Sequence, residues 1–165
     1  MDTLPFDYHR IIAAMNLHDV SYLLVGGLNF FLLHKPVTTQ DIDLLVDDTP
    51  SNRERCLKGL AELDAEWGRG DDDWGPVKDK TYDWISSQSV YCLLTPFGPL
   101  DIFRSIPGIP DYAQAFSRAV NLEIAPLISV KLLSAADLLA CQMALPDTHR
   151  KHDRVAYLKG LDHHG

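Results

Sequence analysis

The sequence lacks any long run of apolar residues. None approaches the roughly 20 residues that a helix needs to cross a bilayer, and the first five residues show neither the basic start nor the apolar stretch of a secretory signal. We therefore expect a cytoplasmic protein without a membrane partner. A hydrophobic fraction of 46% with 23% charged residues is typical of a globular domain.

Cysteine is also scarce. Cys56, Cys92 and Cys141 are odd in number and lie far apart in the sequence, each among apolar residues. Disulfide frameworks and zinc sites need paired or closely spaced cysteines. We therefore interpret the three thiols as reduced core residues.

Positive charge is in deficit as well. Fifteen basic and 23 acidic residues give a formal charge of −8. A protein that follows nucleic acid over a broad surface usually carries the opposite charge, so we expect no extended nucleic-acid binding. A local contact with an RNA end stays open.

Hydrophobic spacing predicts an α/β (α+β) fold with a central mixed β-sheet flanked by helices. Helices are predicted at about 6–15, 28–33, 49–63, 112–119, 134–145 and 155–161, and strands at 20–25, 41–46, 84–87, 89–95 and 99–103, with a small peripheral hairpin over 122–130. The length of 165 residues is that of one domain. We expect a single domain over 1–165, with a core at about 20–105 and helical C-terminal residues at about 107–162.

Residues 67–80 follow neither the helical nor the strand period. Three consecutive acids, Asp71, Asp72 and Asp73, cannot converge from one strand face, so we interpret them as part of a solvated loop. His163 and His164 lie near the end of the sequence and are interpreted as a disordered tail.

A glycine pair follows the first apolar strand. Gly26 and Gly27 separate residues 22–25 from the predicted helix over 28–33. Without a Cβ, such a turn can bring backbone N–H groups and a helix N-terminus close to a phosphate. The alternative is a turn that only packs closely.

Two aspartates open the next strand. Asp41 and Asp43 are two residues apart, so both project to the same side while Ile42 and Leu44 face the core. Asp101, between Leu100 and Ile102, joins them if the two strands are neighbours. Three such carboxylates suit Mg²⁺ or Mn²⁺. The alternative is that they are solvated acids at strand entrances.

The glycine pair, the Asp-x-Asp and the later single Asp resemble the nucleotidyltransferase superfamily with the polymerase-β-like fold. The sequence is most similar to small bacterial minimal nucleotidyltransferases and AbiEii-type toxin–antitoxin proteins, from about Tyr22 to Leu161. The resemblance implies a nucleotidyltransferase fold. It also implies transfer of a nucleoside monophosphate from an NTP to a hydroxyl, with Asp41, Asp43 and Asp101 as catalytic residues and metal ligands.

The resemblance also implies a nucleotide-binding set. Family members carry His-Gly and then Arg-x-Thr-x-Asp-x-Asp in the loop before the aspartates; His34 and Thr39 match this pattern, and Val37 stands at the arginine position. Lys35 is the candidate for the missing positive charge, or is a solvated loop lysine. Gly26, Gly27 and Thr39 complete this part of the predicted site.

A second family pattern, Ser-x-x-Asp-Leu-Ile-Ala-x-Lys followed by Arg-x-Lys-Asp, matches the C-terminal residues in part. Ser134, Asp137, Leu138 and Leu139 are preserved, Gln142 stands at the lysine position, and Arg150, Lys151 and Asp153 carry the second motif. The resemblance implies that Arg150 and Lys151 border the nucleotide or its acceptor. The alternative is helix capping and pairing of one of them with Asp153.

Three interpretations of the function stay open. The first is an active transferase whose acceptor is a partner protein, a small molecule or a tRNA end, in a system that includes a cognate toxin or antitoxin. The second is a catalytically impaired module that binds a partner protein as an antitoxin or regulator, suggested by Val37 and Gln142. The third is a structural α/β domain, in which the three aspartates would lie far apart.

Overall fold

The structure is a computed structural model that describes residues 6–68 and 74–161. The predicted acidic loop at Asp71–Asp73 and the histidines at 163 and 164 lie outside the described residues. Within these ranges, no helix combines the length and the apolar character that crossing a membrane requires.

Seven α-helices and eight strands make up the described fold. The helices are α1 Tyr8–Leu17, α2 Gly26–Leu33, α3 Pro50–Glu62, α4 Tyr82–Ile85, α5 Tyr112–Ser117, α6 Ala135–Met143 and α7 His152–Leu161. The strands are β1 Tyr22–Val25, β2 Ile42–Val46, β3 Glu66–Trp67, β4 Gly75–Pro76, β5 Val90–Thr95, β6 Gly98–Phe103, β7 Val120–Ala125 and β8 Ile128–Leu132. The predicted mixed α/β architecture is confirmed.

All eight strands belong to one mixed sheet, in the order β4-β3-β5-β6-β2-β1-β8-β7. At its centre, β2 pairs antiparallel with β1 and parallel with β6. A sheet covered on both faces needs apolar residues at every position of its inner strands, and all four residues of β1 are buried.

The period-two alternation divides the apolar side chains between two cores. The first core joins the sheet to α1 and α3 and contains Ile11, Ile12, Leu24, Ile42, Leu44, Leu60, Leu100 and Ile102. The second core joins the opposite face to α5, α6 and α7 and contains Leu23, Val25, Leu45, Ala115, Leu138 and Leu158. Asp43 precedes Leu45 by two residues and Asp101 precedes Phe103 by two, so both acids belong to the face of the second core.

Side-chain caps fix the starts of two predicted helices. Thr49 accepts the backbone N–H of Asn52 at the start of α3, where Pro50 occupies the first turn. Ser134 accepts the N–H of Asp137 at the start of α6. The Asp137 carboxylate also receives two bonds from Arg118, both at 3.0 Å, which tie α5 to α6.

The strand predicted over 84–87 is wrong. Tyr82–Ile85 forms the short helix α4, and Trp84 packs edge-on against Trp67 and Tyr91. Tyr91 closes the turn, since its hydroxyl accepts the N–H of Gln88 and donates to the carbonyl of Trp84. Two adjacent apolar residues fit a single helical turn as well as a strand, and the tertiary contacts decide between them.

The hairpin predicted at the periphery extends the main sheet. β8 pairs with β1 in parallel, and the Leu133 N–H donates to the Leu24 carbonyl at 3.0 Å. Val130 and Leu132 are buried in the first core. The sheet therefore draws two of its strands from the region after residue 107.

Residues 74–80 contain more structure than the sequence indicates. The short strand β4 pairs with β3, and Val77 begins a 3₁₀ turn with its side chain buried. The Val77 N–H donates to the Ala65 carbonyl at 2.8 Å. The predicted irregular loop is thus wrong for these described residues.

Candidate metal and nucleotide site

The three aspartates singled out in the sequence lie together. Asp43 and Asp101 are directly opposite each other on the parallel strands β2 and β6, and Asp41 is two residues before Asp43 on the same side. One carboxylate oxygen from each lies within 4.8 Å of the other two, and all three residues are half-buried. The interpretation that places these acids far apart is therefore wrong.

The proximity of the acids changes their protonation. Burial, together with the negative charges of Asp41 and Asp101, raises the pKa of Asp43 to about 8. Burial and the charge of Asp41 also raise the pKa of Asp101. The cluster therefore gains stability from binding either a proton or a cation.

Cys92 is a neighbour of this cluster that the sequence interpretation assigned to the core. It is opposite Asp101 in the pairing of β5 with β6, and its side chain is exposed. Partial burial and the charge of Asp101 raise the pKa of its thiol. The core interpretation is confirmed for the buried Cys56 and is wrong for Cys92.

The glycine pair places backbone without a side chain next to the carboxylate of Asp43. Gly26 begins α2 with φ of +72°, and a β-carbon at this position would overlap the carboxylate of Asp43. A β-carbon on Gly27 would lie 2.9 Å from the hydroxyl oxygen of Thr39. Both glycines thus pack closely, and Gly26 does so against a predicted metal ligand.

Thr39 holds the loop that carries Asp41. Its side chain is buried, and its hydroxyl donates to the Asp41 carbonyl at 3.3 Å. Val37, which replaces the expected arginine, packs against the second core. This loop therefore positions the aspartate, and Val37 contributes packing at the position where the resemblance predicted an arginine.

The predicted basic residues have other contacts. Lys35 is exposed, with its ammonium 5.2 Å from the centre of the Tyr157 ring. Arg150 donates to the Leu145 and Met143 carbonyls, both at 3.0 Å, and so caps the end of α6. The structure thus shows the capping alternative for Arg150, with Asp147 rather than Asp153 as its acidic neighbour at 3.7 Å.

Lys151 contributes a backbone contact. Its N–H donates to the side-chain oxygen of Gln142 at 2.8 Å. The lysine is exposed at the start of α7, and it is not among the residues that line the cavity described below. This bond fixes the amide of Gln142, the residue that stands where the resemblance predicted a lysine.

Arg154 is the basic residue that sequence analysis missed. Its Nη2 lies 3.8 Å from the point that a β-carbon on Gly27 would occupy, and its guanidinium lies 5.5 Å from the centre of the Phe30 ring. The available signal was helical spacing, because Arg154 is four residues before the buried Leu158 and therefore shares its face of α7.

A cavity of about 260 Å³ opens beside the aspartates and the glycine turn. Its lining is largely apolar and comes from the end of β1, the residues after β6, and α6 and α7. The lining residues are Val25, Gly26, Phe30, Asp43, Phe103, Ile106, Pro107, Leu138, Cys141, Gln142, Leu145, Arg154 and Leu158.

The donor set suits a hard divalent cation. Three carboxylates can supply oxygen ligands to Mg²⁺ or Mn²⁺, and a cation would compensate the burial and the like charges that raise the pKa of Asp43. Searches against protein-family models and curated proteins give no match to this chain. The chemistry must therefore be argued from the site itself.

Proposed function

We propose that the protein is a metal-dependent nucleotidyltransferase of the polymerase-β-like fold. It transfers a nucleoside monophosphate from an NTP to an acceptor hydroxyl and releases pyrophosphate. The observation that carries the proposal is the convergence of Asp41, Asp43 and Asp101 beside the turn at Gly26 and Gly27. Neither the three aspartates nor the glycine turn would by itself indicate this activity.

The aspartates would hold one or two Mg²⁺ or Mn²⁺ ions. Asp43 and Asp101 face each other across two strands, and Asp41 joins them from the preceding loop. Ions bound there would lower the pKa of the acceptor hydroxyl and stabilise the leaving pyrophosphate. The protein supplies a fixed set of oxygen ligands on a rigid sheet.

The glycine turn and Arg154 would bind the triphosphate. Gly26 starts α2, where unpaired backbone N–H groups and the helix dipole favour an anion. Arg154 lies next to Gly27 and contributes a permanent positive charge. It thus takes the role predicted above for Lys35, Arg150 and Lys151, which have the other contacts already described.

In the transfer, the acceptor oxygen attacks the α-phosphorus and the bond to the β-phosphate oxygen breaks. We assign removal of the hydroxyl proton to Asp101, because this half-buried carboxylate completes the cluster from the neighbouring strand β6. The electron pair of the broken bond leaves with pyrophosphate. Asp41 and Asp43 would act as metal ligands, and Asp101 would also contribute an oxygen ligand.

The acceptor class follows from charge. A formal charge of −8 disfavours a long nucleic-acid partner. A hydroxyl on a protein side chain or a small molecule is therefore preferred to a tRNA end. The proposal includes a cytoplasmic location and a role beside a cognate toxin or antitoxin protein, as the sequence resemblance implies.

Transfer from α-labelled NTPs tests the proposal. Each of ATP, CTP, GTP and UTP would be incubated with Mg²⁺, the protein and a cell extract as the source of acceptor, and the transfer of label to the acceptor followed. Asp43→Asn should lower the rate roughly 100-fold or more, since it removes a metal ligand. The matched control is Asp83→Asn, at an exposed acid on α4.

Equal turnover by the wild-type and Asp43→Asn proteins would contradict the proposal. The inert-module alternative makes a separate prediction, because it requires no Mg²⁺-dependent binding of NTP. Calorimetric titration of the wild-type protein with NTP and Mg²⁺ distinguishes the two. Heat that depends on both metal and nucleotide supports the enzyme.

A further inference from the structure

The cavity beside the aspartates has one polar end and one apolar wall. Gly26 adjoins the Asp43 carboxylate and Arg154 adjoins Gly27, which places the polar groups together. The apolar wall comes from Ile106, Leu145 and their neighbours after β6 and on α6. On the proposed function, the polar end takes the triphosphate.

The apolar wall is built before any ligand arrives. Gly108 has φ of +97°, and a β-carbon there would lie 2.6 Å from the Ala140 carbonyl oxygen. The loop that contains Ile106 and Pro107 therefore packs in direct contact with the backbone of α6. A preformed wall of this kind lowers the entropic cost of binding a flat apolar group.

The size of the cavity matches part of a nucleotide. Sites that enclose drug-sized ligands usually measure about 300–1,000 Å³, and this cavity measures about 260 Å³. A base with part of its ribose would fill it, while the charged phosphates stay at the end formed by Gly26 and Arg154.

Gln142 supplies a directed hydrogen-bond donor on this wall. Its side-chain oxygen accepts the Lys151 N–H at 2.8 Å. Within the side-chain amide, only the oxygen can accept a hydrogen bond, because the NH₂ group is a donor. The orientation of the amide is thereby fixed, and its NH₂ group is left as the donor that the residue can offer to a ligand. The side chain lines the cavity and is half-buried.

We infer that the cavity is a base-binding subsite selective for adenine, with Gln142 as the specificity-determining residue; the inference rests on the proposed function. Adenine presents ring nitrogens that accept a bond from the Gln142 amide. Adenine leaves one amino group, at N6, without a partner on apolar walls, whereas guanine leaves donors at both N1 and N2, and burying an unpaired donor is costly. Pyrimidines bury less apolar area.

Equilibrium binding in the presence of Mg²⁺ tests this inference. The ligands are ATP and GTP analogues that cannot be cleaved between the α- and β-phosphates, with inorganic tripolyphosphate as a ligand that has no base. We expect the wild-type protein to bind the ATP analogue about tenfold more tightly than the GTP analogue.

Gln142→Glu is the informative variant, because it keeps an oxygen for the Lys151 N–H and replaces the donor in the cavity by an acceptor. The ratio of ATP to GTP affinity should fall about tenfold. Tripolyphosphate reports the effect of the added negative charge alone, and that effect cancels in the ratio. Leu145→Trp, which narrows the cavity, should weaken both analogues and leave tripolyphosphate binding unchanged.

The outcomes separate the inference from the proposed function. Tight Mg²⁺-dependent binding of all three wild-type ligands without preference for adenine would overturn the subsite and leave the transferase intact. An unchanged affinity ratio in Gln142→Glu would overturn the role of Gln142. Failure of all three ligands to bind would overturn the inference together with the proposed function.

Discussion

The two faces of the central sheet use the same strands for opposite purposes. Toward α1 and α3, Ile42, Leu44 and Ile102 are fully buried. Toward α5, α6 and α7, the alternate residues of the same strands include Asp43 and Asp101. Both belong to the cluster of three carboxylates, and Asp43 also lines the cavity. A shift of one residue in register would exchange the faces, so the apolar face holds the acidic face in place.

The three acids of the site repel one another when they are ionised. Burial and neighbouring charges raise the pKa of Asp43 to about 8. The ionised form of this side chain is therefore unfavourable in the folded protein at neutral pH. The fully buried first core and the paired strands impose the geometry nonetheless. Variants on the two faces should therefore separate stability from activity.

The largest effect is expected from a double change on the acidic face. Asp43→Asn with Asp101→Asn should abolish measurable nucleotidyl transfer, because two of the three proposed metal ligands are lost. The variant should unfold at the same or a higher temperature, since the change removes like charges. Activity assays and calorimetric unfolding measure the two effects, and a strongly lowered melting temperature would contradict the division between faces.

A change on the apolar face should show the reverse behaviour. Leu44→Ala should lower the free energy of unfolding by about 2–5 kcal/mol, because Leu44 is fully buried and the change leaves a cavity. Urea denaturation gives the value. The residual folded fraction should keep Mg²⁺-dependent NTP binding. A decrease in the free energy of unfolding of less than about 1 kcal/mol would show that this face does not carry the stability.

The acidic face should also govern how stability depends on pH. The folded pKa of Asp43, about 8, lies above its unfolded value near 4. Between these values the folded protein holds a proton that the unfolded chain lacks, so metal-free stability should fall as pH rises, by at most about 1.4 kcal/mol per pH unit for one proton.

Denaturation of the metal-free protein between pH 5 and pH 8 checks this sign. Asp43→Asn should flatten the profile, and Mg²⁺ should stabilise the wild-type protein more at pH 8 than at pH 5, because ionised carboxylates bind the cation. A wild-type stability that rises with pH over this window in the absence of metal would contradict the assignment to Asp43.

The smallest effect concerns the helices over the acidic face. Ser134 caps α6 and its hydroxyl donates to Asp137 at 3.0 Å. Ser134→Ala should lower the free energy of unfolding by about 1 kcal/mol, with Ser117→Ala on α5 as a control for a hydroxyl outside a helix N-cap. Equal losses in both variants would show that the cap adds no specific stability.

Local patterns in the sequence predicted much of the apolar framework. Thr49 and Pro50 predicted the start of α3, and alternation predicted the strands that carry Asp43 and Asp101. The convergence of the three acids was predicted on one condition, that the two strands are neighbours in the sheet. The roles of the three acids remain a prediction that enzymology must test.

The residues that sequence analysis misplaced depend on tertiary contacts. Arg154 reaches the glycine turn only because α7 packs across the second core, and Arg150 caps α6 because the chain turns back at that point. Cys92 adjoins Asp101 through pairing of β5 with β6. Trp84 belongs to a helix because of its aromatic neighbours. Apart from the helical spacing that places Arg154 on the buried face of α7, these contacts leave no local signature in the sequence.

Metal binding at the acidic face is the most direct test of the account. Mn²⁺ binding can be followed by the loss of the free-ion signal in electron paramagnetic resonance, with and without an uncleavable ATP analogue. We predict saturable binding to the wild-type protein, strengthened by nucleotide and lost in the Asp43→Asn and Asp101→Asn variants. Equal binding by the wild-type protein and both variants would contradict it.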